Sequence, residues 1–456
     1  MSTVTETYEQ TRQRHVQRFG EFMLAAVARL ELPADALATH RTERLRETIA
    51  HAKAHSPWHR ERLAGVDPDT VTEADLVRVE PMTKDDLMAN FDAIVTDDRV
   101  TLDAVEQHIA GLTSDAYFQG YLHAVASGGS SGRRGVFVWG WDAWAEGYAA
   151  GPRYLAQAMM RDPDRLGVPG PMATVTAGNA MHITVAMSQT FSEVVSFPIT
   201  SPLAEVVAGL NRVQPRVLFG YASAICELLE EVRAGRLEIQ PAAVIQAGEP
   251  LLPQVRQAIA DTWGARVANI WGTSEFGGTG SGCLYGDGIH LHDDLLVYEF
   301  VDEDGRPVTP GERAAKAFIT NLYNPVMPLI RYELTDEVVL VDGPCPCGSA
   351  HRRVADIQGR LDDGFIYQDG SRVHPHVFRS ALTRTRGVTE YRVLQTADGA
   401  TVEIRAGSEV DVADLAARLT DGVRSAGVPN AHVVVARVDS FPRTETGKVR
   451  RFVPLG

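Results

Sequence analysis

Cysteine is scarce. Four residues, Cys226, Cys283, Cys345 and Cys347, serve a chain of 456. That is too few to staple a protein of this size, so a disulfide-built secreted scaffold is excluded and a reduced compartment is expected. Long apolar runs are also missing. No stretch reaches the roughly 18 consecutive apolar residues that a membrane-crossing helix needs, and the polar start "MSTVTETYEQ" lacks the apolar centre of a secretory signal. A cytoplasmic location with no membrane partner is the expectation. Positive charge is in deficit, with 44 Lys and Arg against 59 Asp and Glu and a net charge of -15, which argues against a general nucleic-acid surface but leaves room for a local anion pocket. Neither G-x-x-x-x-G-K-[ST] nor G-x-G-x-x-G occurs, so the two commonest phosphate-binding loops are excluded. No internal repeat or low-complexity segment is found.

What is present reads as an α/β protein of more than one domain. Residues 1 to about 120 carry apolar residues at three- and four-residue spacing, as in "TERLRETIAHAKAHSPWHRERLAG", and predict a helical region. From Met172 onward short apolar runs ("MATVTAG", "PRVLFGYAS", "PAAVIQAGEP", "ARVANIWGTSE") alternate with helical stretches, the signature of βαβ units and a mainly parallel sheet. Ligands of such sheets collect at the carboxyl ends of strands, where "GYAS", "AGEP" and "WGTSEFGG" fall. Runs within about 295–358 predict a smaller antiparallel subdomain with Asp-Gly turns. A hairpin, helix and strand follow "IQGRLDDGF" and predict a small mobile α+β domain over 361–456, after a large domain over 1–360.

The run "ASGGSSGRRG" combines amides, hydroxyls and guanidinium groups able to surround a polyphosphate, with a plain surface turn as the alternative. With the segments on either side of it, from "HAKAHSPWHRERL" and "VEPMTKDDL" through "FPRTETGKVRR", the chain resembles the adenylate-forming superfamily and, within it, the phenylacetate-CoA ligase family. The resemblance makes Ser127, Gly129, Ser130, Ser131, Gly132 and Arg133 the phosphate loop, Arg133 standing where lysine is usual. It implies that Trp271 lies against adenine, that Gly272 and Ser274 belong to the nucleotide site, and that Glu275 holds Mg2+, for which a carboxylate is a suitable hard ligand. It places Gly248 and Glu249 beside the adenine and acyl group, gives Asp336 the ribose hydroxyls, makes Arg360 a ribose or phosphate contact and Asp362 the hinge. It nominates Lys448 as the catalytic cation at the α-phosphate.

The implied reaction joins an acid to the AMP moiety of ATP, releases pyrophosphate, and passes the acyl group to coenzyme A, with a carrier-protein thiol or an amine as alternative acceptors. Tyr221, Ala247, Phe276 and Gly278 are expected around the acyl group, favouring an aromatic or arylacetic acid. A homodimer is a family expectation. A reading of another class, a non-catalytic nucleotide-binding protein on a ligase fold, stays open. Cys283, His290, Cys345 and Cys347 have the number and softness of structural Zn2+ ligands, with His292 or His351 as substitutes for His290 and four ordinary residues as the alternative.

Overall fold

The computed structural model describes residues 7–455 apart from 128–134, 165, 168–169, 177–181, 192–193, 200, 356, 358–363, 374, 376, 379–380, 383–384, 386 and 444–448. Helices begin where side chains can satisfy the first free amides. Thr7 and Gln10 form a reciprocal capping box ahead of Tyr8–Arg29, and Ser56 accepts from the His59 amide ahead of Pro57–Arg62, whose proline sits where no amide is needed. Tyr8–Arg29 packs on the helix Trp141–Ala150. Arg29 and Arg44 bring the first two long helices onto buried acids: Arg44 reaches both oxygens of Glu146 at 2.9 Å, and Arg29 reaches Asp294 at 2.6 Å. Arg153, fully buried, completes this cluster at 2.8 Å from Asp294.

The centre is a ten-stranded sheet. Its parallel half runs Val194–Pro198, Met172–Thr176, Val217–Gly220, Ala243–Ala247 and Arg266–Thr273 in spatial order. Ala243–Ala247 is buried along its whole length, as a central strand covered on both faces should be. The helix Leu203–Val213 ends at Gln214 in the left-handed region and Pro253–Trp263 at Gly264. Beyond Arg266–Thr273 the sheet turns antiparallel through Gly277–Ser281, Ile289–Leu291, Arg353–Val354, Val338–Val341 and Arg313–Ala314. Leu296–Val301, Lys316–Asn321 and Tyr332–Leu334 form a separate antiparallel sheet. The strand-rich stretch expected to stand alone is thus divided: part of it extends the central sheet and part makes its own. The reason lies in pairing across sequence, since Arg353–Val354 joins Ile289–Leu291.

The C-terminal unit is the predicted α+β fold. Val388–Thr396 and Gly399–Ala406 form a hairpin, flanked by His432–Arg437 and Phe452–Val453 in parallel, with the helix Val412–Ser425 on the sheet. Gly399 is dictated by close approach, because a β-carbon there would lie 2.0 Å from the His432 carbonyl oxygen. Helices Ala222–Arg233 and Pro253–Trp263 of the large unit pack on Val388–Thr396. Among the described residues, no helix is long and apolar enough to cross a membrane.

Candidate functional site

Three strand ends converge on one edge of the parallel sheet. Val217–Gly220 leads into buried Tyr221, and Ala243–Ala247 leads into Gly248 and Glu249. Gly248 is exposed with φ of +78°, a conformation L side chains rarely adopt, so its bare backbone faces outward there. Arg266–Thr273 turns through Ser274, Glu275 and Phe276 into Gly277–Ser281, the turn being closed by the Phe276 amide donating to Thr273 Oγ1 at 3.2 Å. A register shift between Trp271 and Gly272 marks a bulge at this point.

Glu275 is buried at 5% exposure. Its Oε1 lies 3.6 Å from Lys84 Nζ and accepts from the Tyr332 hydroxyl at 3.5 Å. Lys84 comes from "VEPMTKDDL": Met82 bridges to Tyr332, its amide donating to the Arg331 carbonyl, and Thr83 caps the short helix Lys84–Ala89. Lys84 was not legible as a site residue in the sequence. Its only signal was a lone cation in a helix start, a place that ordinarily disfavours positive charge. Asp336, also buried, follows the strand Tyr332–Leu334.

The expected phosphate loop is the connection of a β-hairpin, His123–Ala126 with Val136–Trp139. Its base is tied twice, by the Ser127 amide to the Gly135 carbonyl and by the Gly135 amide to Ser127 Oγ, both at 2.8 Å. Gly129, Ser130, Ser131, Gly132 and Arg133 lie outside the described residues, as do Arg360, Asp362 and Lys448. The residues on either side of 444–448 are described. Arg443 and Val449 form a bridge, and the Val449 amide donates to Glu249 Oε1 at 3.1 Å.

Two of the expected contact residues are buried. Trp271 is 4% exposed and packs in the main core near Tyr298, and Phe276 is fully buried, edge-on to Tyr332. The bulge and the tight turn direct these rings inward, leaving Gly272 as the exposed member of the segment. Around Gly278 space is also scarce, a β-carbon there lying 2.8 Å from His292 Cε1.

Away from the strand ends, Cys283, His290, Cys345 and Cys347 come together, their ligand atoms all within 4.8 Å of one another and all buried. His290 Nδ1 lies 3.1 Å from the His351 carbonyl, which directs its Nε2 toward Cys347 Sγ at 3.4 Å. A hydrogen bond with Cys347 favours the Cys283 thiolate against the opposing effect of burial. His292 instead bonds to Gly278 and Ser281, and His351 to Leu291. Four soft donors in one buried cluster fit a closed structural zinc site.

No family model matches the chain. Over 166 residues it is 31% identical to a phenylacetate-coenzyme A ligase of Thermus thermophilus, a match spanning 36% of this chain and 37% of that enzyme. Over 370 residues it is 25% identical to a phenylacetate-coenzyme A ligase of Pseudomonas putida, covering 78% and 77%. The crystal structure of 2-hydroxyisobutyryl-CoA ligase in its postadenylation state aligns over 93% of this chain and 90% of that one, with a TM-score of 0.68 and 23% identity. The chain is thus similar to phenylacetate-coenzyme A ligases and shares its fold with the 2-hydroxyisobutyryl-CoA ligase. In this shared fold the ends of the parallel strands gather Tyr221, Gly248, Glu249 and Glu275 at one edge, and the terminal α+β unit packs on the helices Ala222–Arg233 and Pro253–Trp263 that flank the sheet.

Proposed function

We propose that this protein activates a small carboxylic acid of the aromatic or arylacetic class with ATP and transfers the acyl group to coenzyme A. The observation that supports this most is the docking of Val449 on Glu249 and of Arg443 on Ser223, which sets the two described residues flanking 444–448 beside the ends of the parallel strands.

In the first step the acid's carboxylate oxygen attacks the α-phosphorus of ATP. The bond from that phosphorus to the bridging oxygen breaks, and pyrophosphate leaves with its electron pair. Lys448 and Arg133 offset negative charge on the phosphoryl oxygens, which is greatest in the transition state and therefore accelerates rather than merely binds. Glu275 is the residue that would hold Mg2+, a hard carboxylate suited to it, with Lys84 sharing the same carboxylate environment. The ion would neutralise charge on the departing pyrophosphate. The base lies over the exposed backbone at Gly248 and Gly272 with Trp271 beneath, the ribose hydroxyls donate to Asp336, and Arg360 contacts ribose or phosphate. Tyr221 and Ala247 border the acyl group.

In the second step the terminal unit turns about Asp362, the thiolate of coenzyme A attacks the acyl carbon, and AMP leaves. The Cys283, His290, Cys345 and Cys347 cluster would hold Zn2+ as a structural tie between two loops, and no step passes through it. Incubation with Mg-ATP, coenzyme A and a panel of aryl and arylacetic acids, read by mass spectrometry, tests this. Acyl-CoA and AMP in equal amounts are expected. Formation of ADP would contradict the reading, and AMP without a thioester would move the acceptor away from coenzyme A.

A further inference from the structure

Glu249 has more to do than border an adenine. Its Oε2 accepts from the Ser223 amide at 2.8 Å, capping the start of the helix Ala222–Arg233, while its Oε1 accepts from the Ser223 hydroxyl at 3.0 Å and from the Val449 amide at 3.1 Å. Ser223 Oγ in turn accepts from Arg443 Nη1 at 2.8 Å, and Arg443 Nη2 pairs with Glu227 at 2.7 Å. Arg443 and Val449 are bridged to each other. One relay therefore pins both ends of the loop that bears Lys448 to the large unit.

We propose that Glu249, Ser223 and Arg443 form an interdomain latch, tying the terminal unit to the large unit through Arg443 and Val449 for adenylation and opening for thioester formation; this rests on the two-step reaction proposed above. The apolar contact of the two helices with Val388–Thr396 is non-directional and cannot fix where the loop sits. Hydrogen bonds are directional, and the relay polarises along its length from guanidinium through hydroxyl to carboxylate. Ser223 is fully buried and Glu249 is 7% exposed, so water competes little for these bonds while the units are docked. Every member is a polar group that water can re-satisfy once they part, as befits a contact made and broken in each turnover. Glu249 and Arg443 are thus positioning residues that act through the docking of the terminal unit.

The test uses the full-length Arg443→Met and Glu249→Gln variants. Arg443→Met removes the donors on the terminal unit, away from the helix start. Glu249→Gln keeps an acceptor but sets an amide donor against the Ser223 amide. ATP–pyrophosphate exchange reads the first half-reaction, and thioester formation from synthetic phenylacetyl-adenylate and coenzyme A reads the second. Exchange should fall at least tenfold in Arg443→Met, while the second half-reaction stays within twofold or quickens. Equal losses in both, or unchanged exchange, would overturn the latch. Amide hydrogen exchange at Val449 gives a readout independent of activity. Protection should drop at least tenfold in both variants with thermal unfolding unchanged, and retained protection would overturn the proposal. Should the parent show no pyrophosphate exchange with any acid, the two-step reading fails, and Val449 protection alone decides whether the contact is a latch.

Discussion

Removing one ligand of the cysteine–histidine cluster gives a prediction with a worked magnitude. A tetrahedral zinc ion with bonds of about 2.3 Å to sulfur and about 2.05 Å to nitrogen requires sulfur–sulfur edges of about 3.8 Å and sulfur–nitrogen edges of about 3.6 Å. The Cys283–Cys345 separation is 3.5 Å and that of Cys347 Sγ from His290 Nε2 is 3.4 Å. These two edges lie within a few tenths of an ångström of the tetrahedral values, and all four ligand atoms lie within 4.8 Å of one another. Around it, Tyr154 stacks on His290 and Arg161 donates to the Cys347 carbonyl at 2.7 Å, holding both halves in place. At free zinc about 1,000 times its dissociation constant, binding to the folded form alone contributes about 4 kcal/mol. With an unfolding entropy of about 2.1 cal/mol/K per residue, a 456-residue chain would shift by about 4 °C. The assay pairs elemental analysis of the purified protein with thermal scans before and after chelation. The parent should hold about one zinc per chain and lose about 4 °C on chelation, and Cys347→Ser should hold less and respond less. A parent that takes up no zinc after reconstitution and melts identically with chelator would refute the reasoning.

Asp294→Ala should cost about 3–5 kcal/mol in urea unfolding, because it leaves the fully buried Arg153 guanidinium without its carboxylate; a loss under about 1 kcal/mol would contradict this. Glu390 is pushed up to about 7 by burial, against the opposing charges of Arg451 and Arg405. Its folded value thus lies above the unfolded one near 4.5, so it costs stability progressively as pH rises from about 4.5 to 7, by about 3 kcal/mol in all. Relative to the parent, Glu390→Gln should gain stability over that interval, and parallel stability–pH curves would count against the assignment.

Legibility in the sequence followed the range of the interactions. The βαβ alternation, the terminal hairpin and helix, and the segments at the strand ends are local patterns, and each is found where its period or turn residues place it. The division of the strand-rich stretch between two sheets was not legible, because Ile289–Leu291 and Arg353–Val354 pair across a long separation. Nor was the burial of Phe276, which follows from the tight turn closed on Thr273. Lys84 and Glu275 are 191 positions apart, and their proximity follows from Met82 bridging to Tyr332. Glu249 was expected beside the adenine and acyl group; its bonds to Ser223 and Val449 join segments far apart in sequence and so needed the packed structure. The cysteine–histidine set was readable by residue type, whereas the choice of His290 over His292 and His351 required the geometry.

The most direct test of the account is acid-dependent ATP–pyrophosphate exchange by the parent and by Lys448→Ala, across a panel of aryl and arylacetic acids. The account predicts exchange by the parent with at least one of these acids and a loss of about 100-fold in the variant, with unfolding temperature unchanged. Equal exchange by both proteins, or none by the parent with any acid, would contradict it.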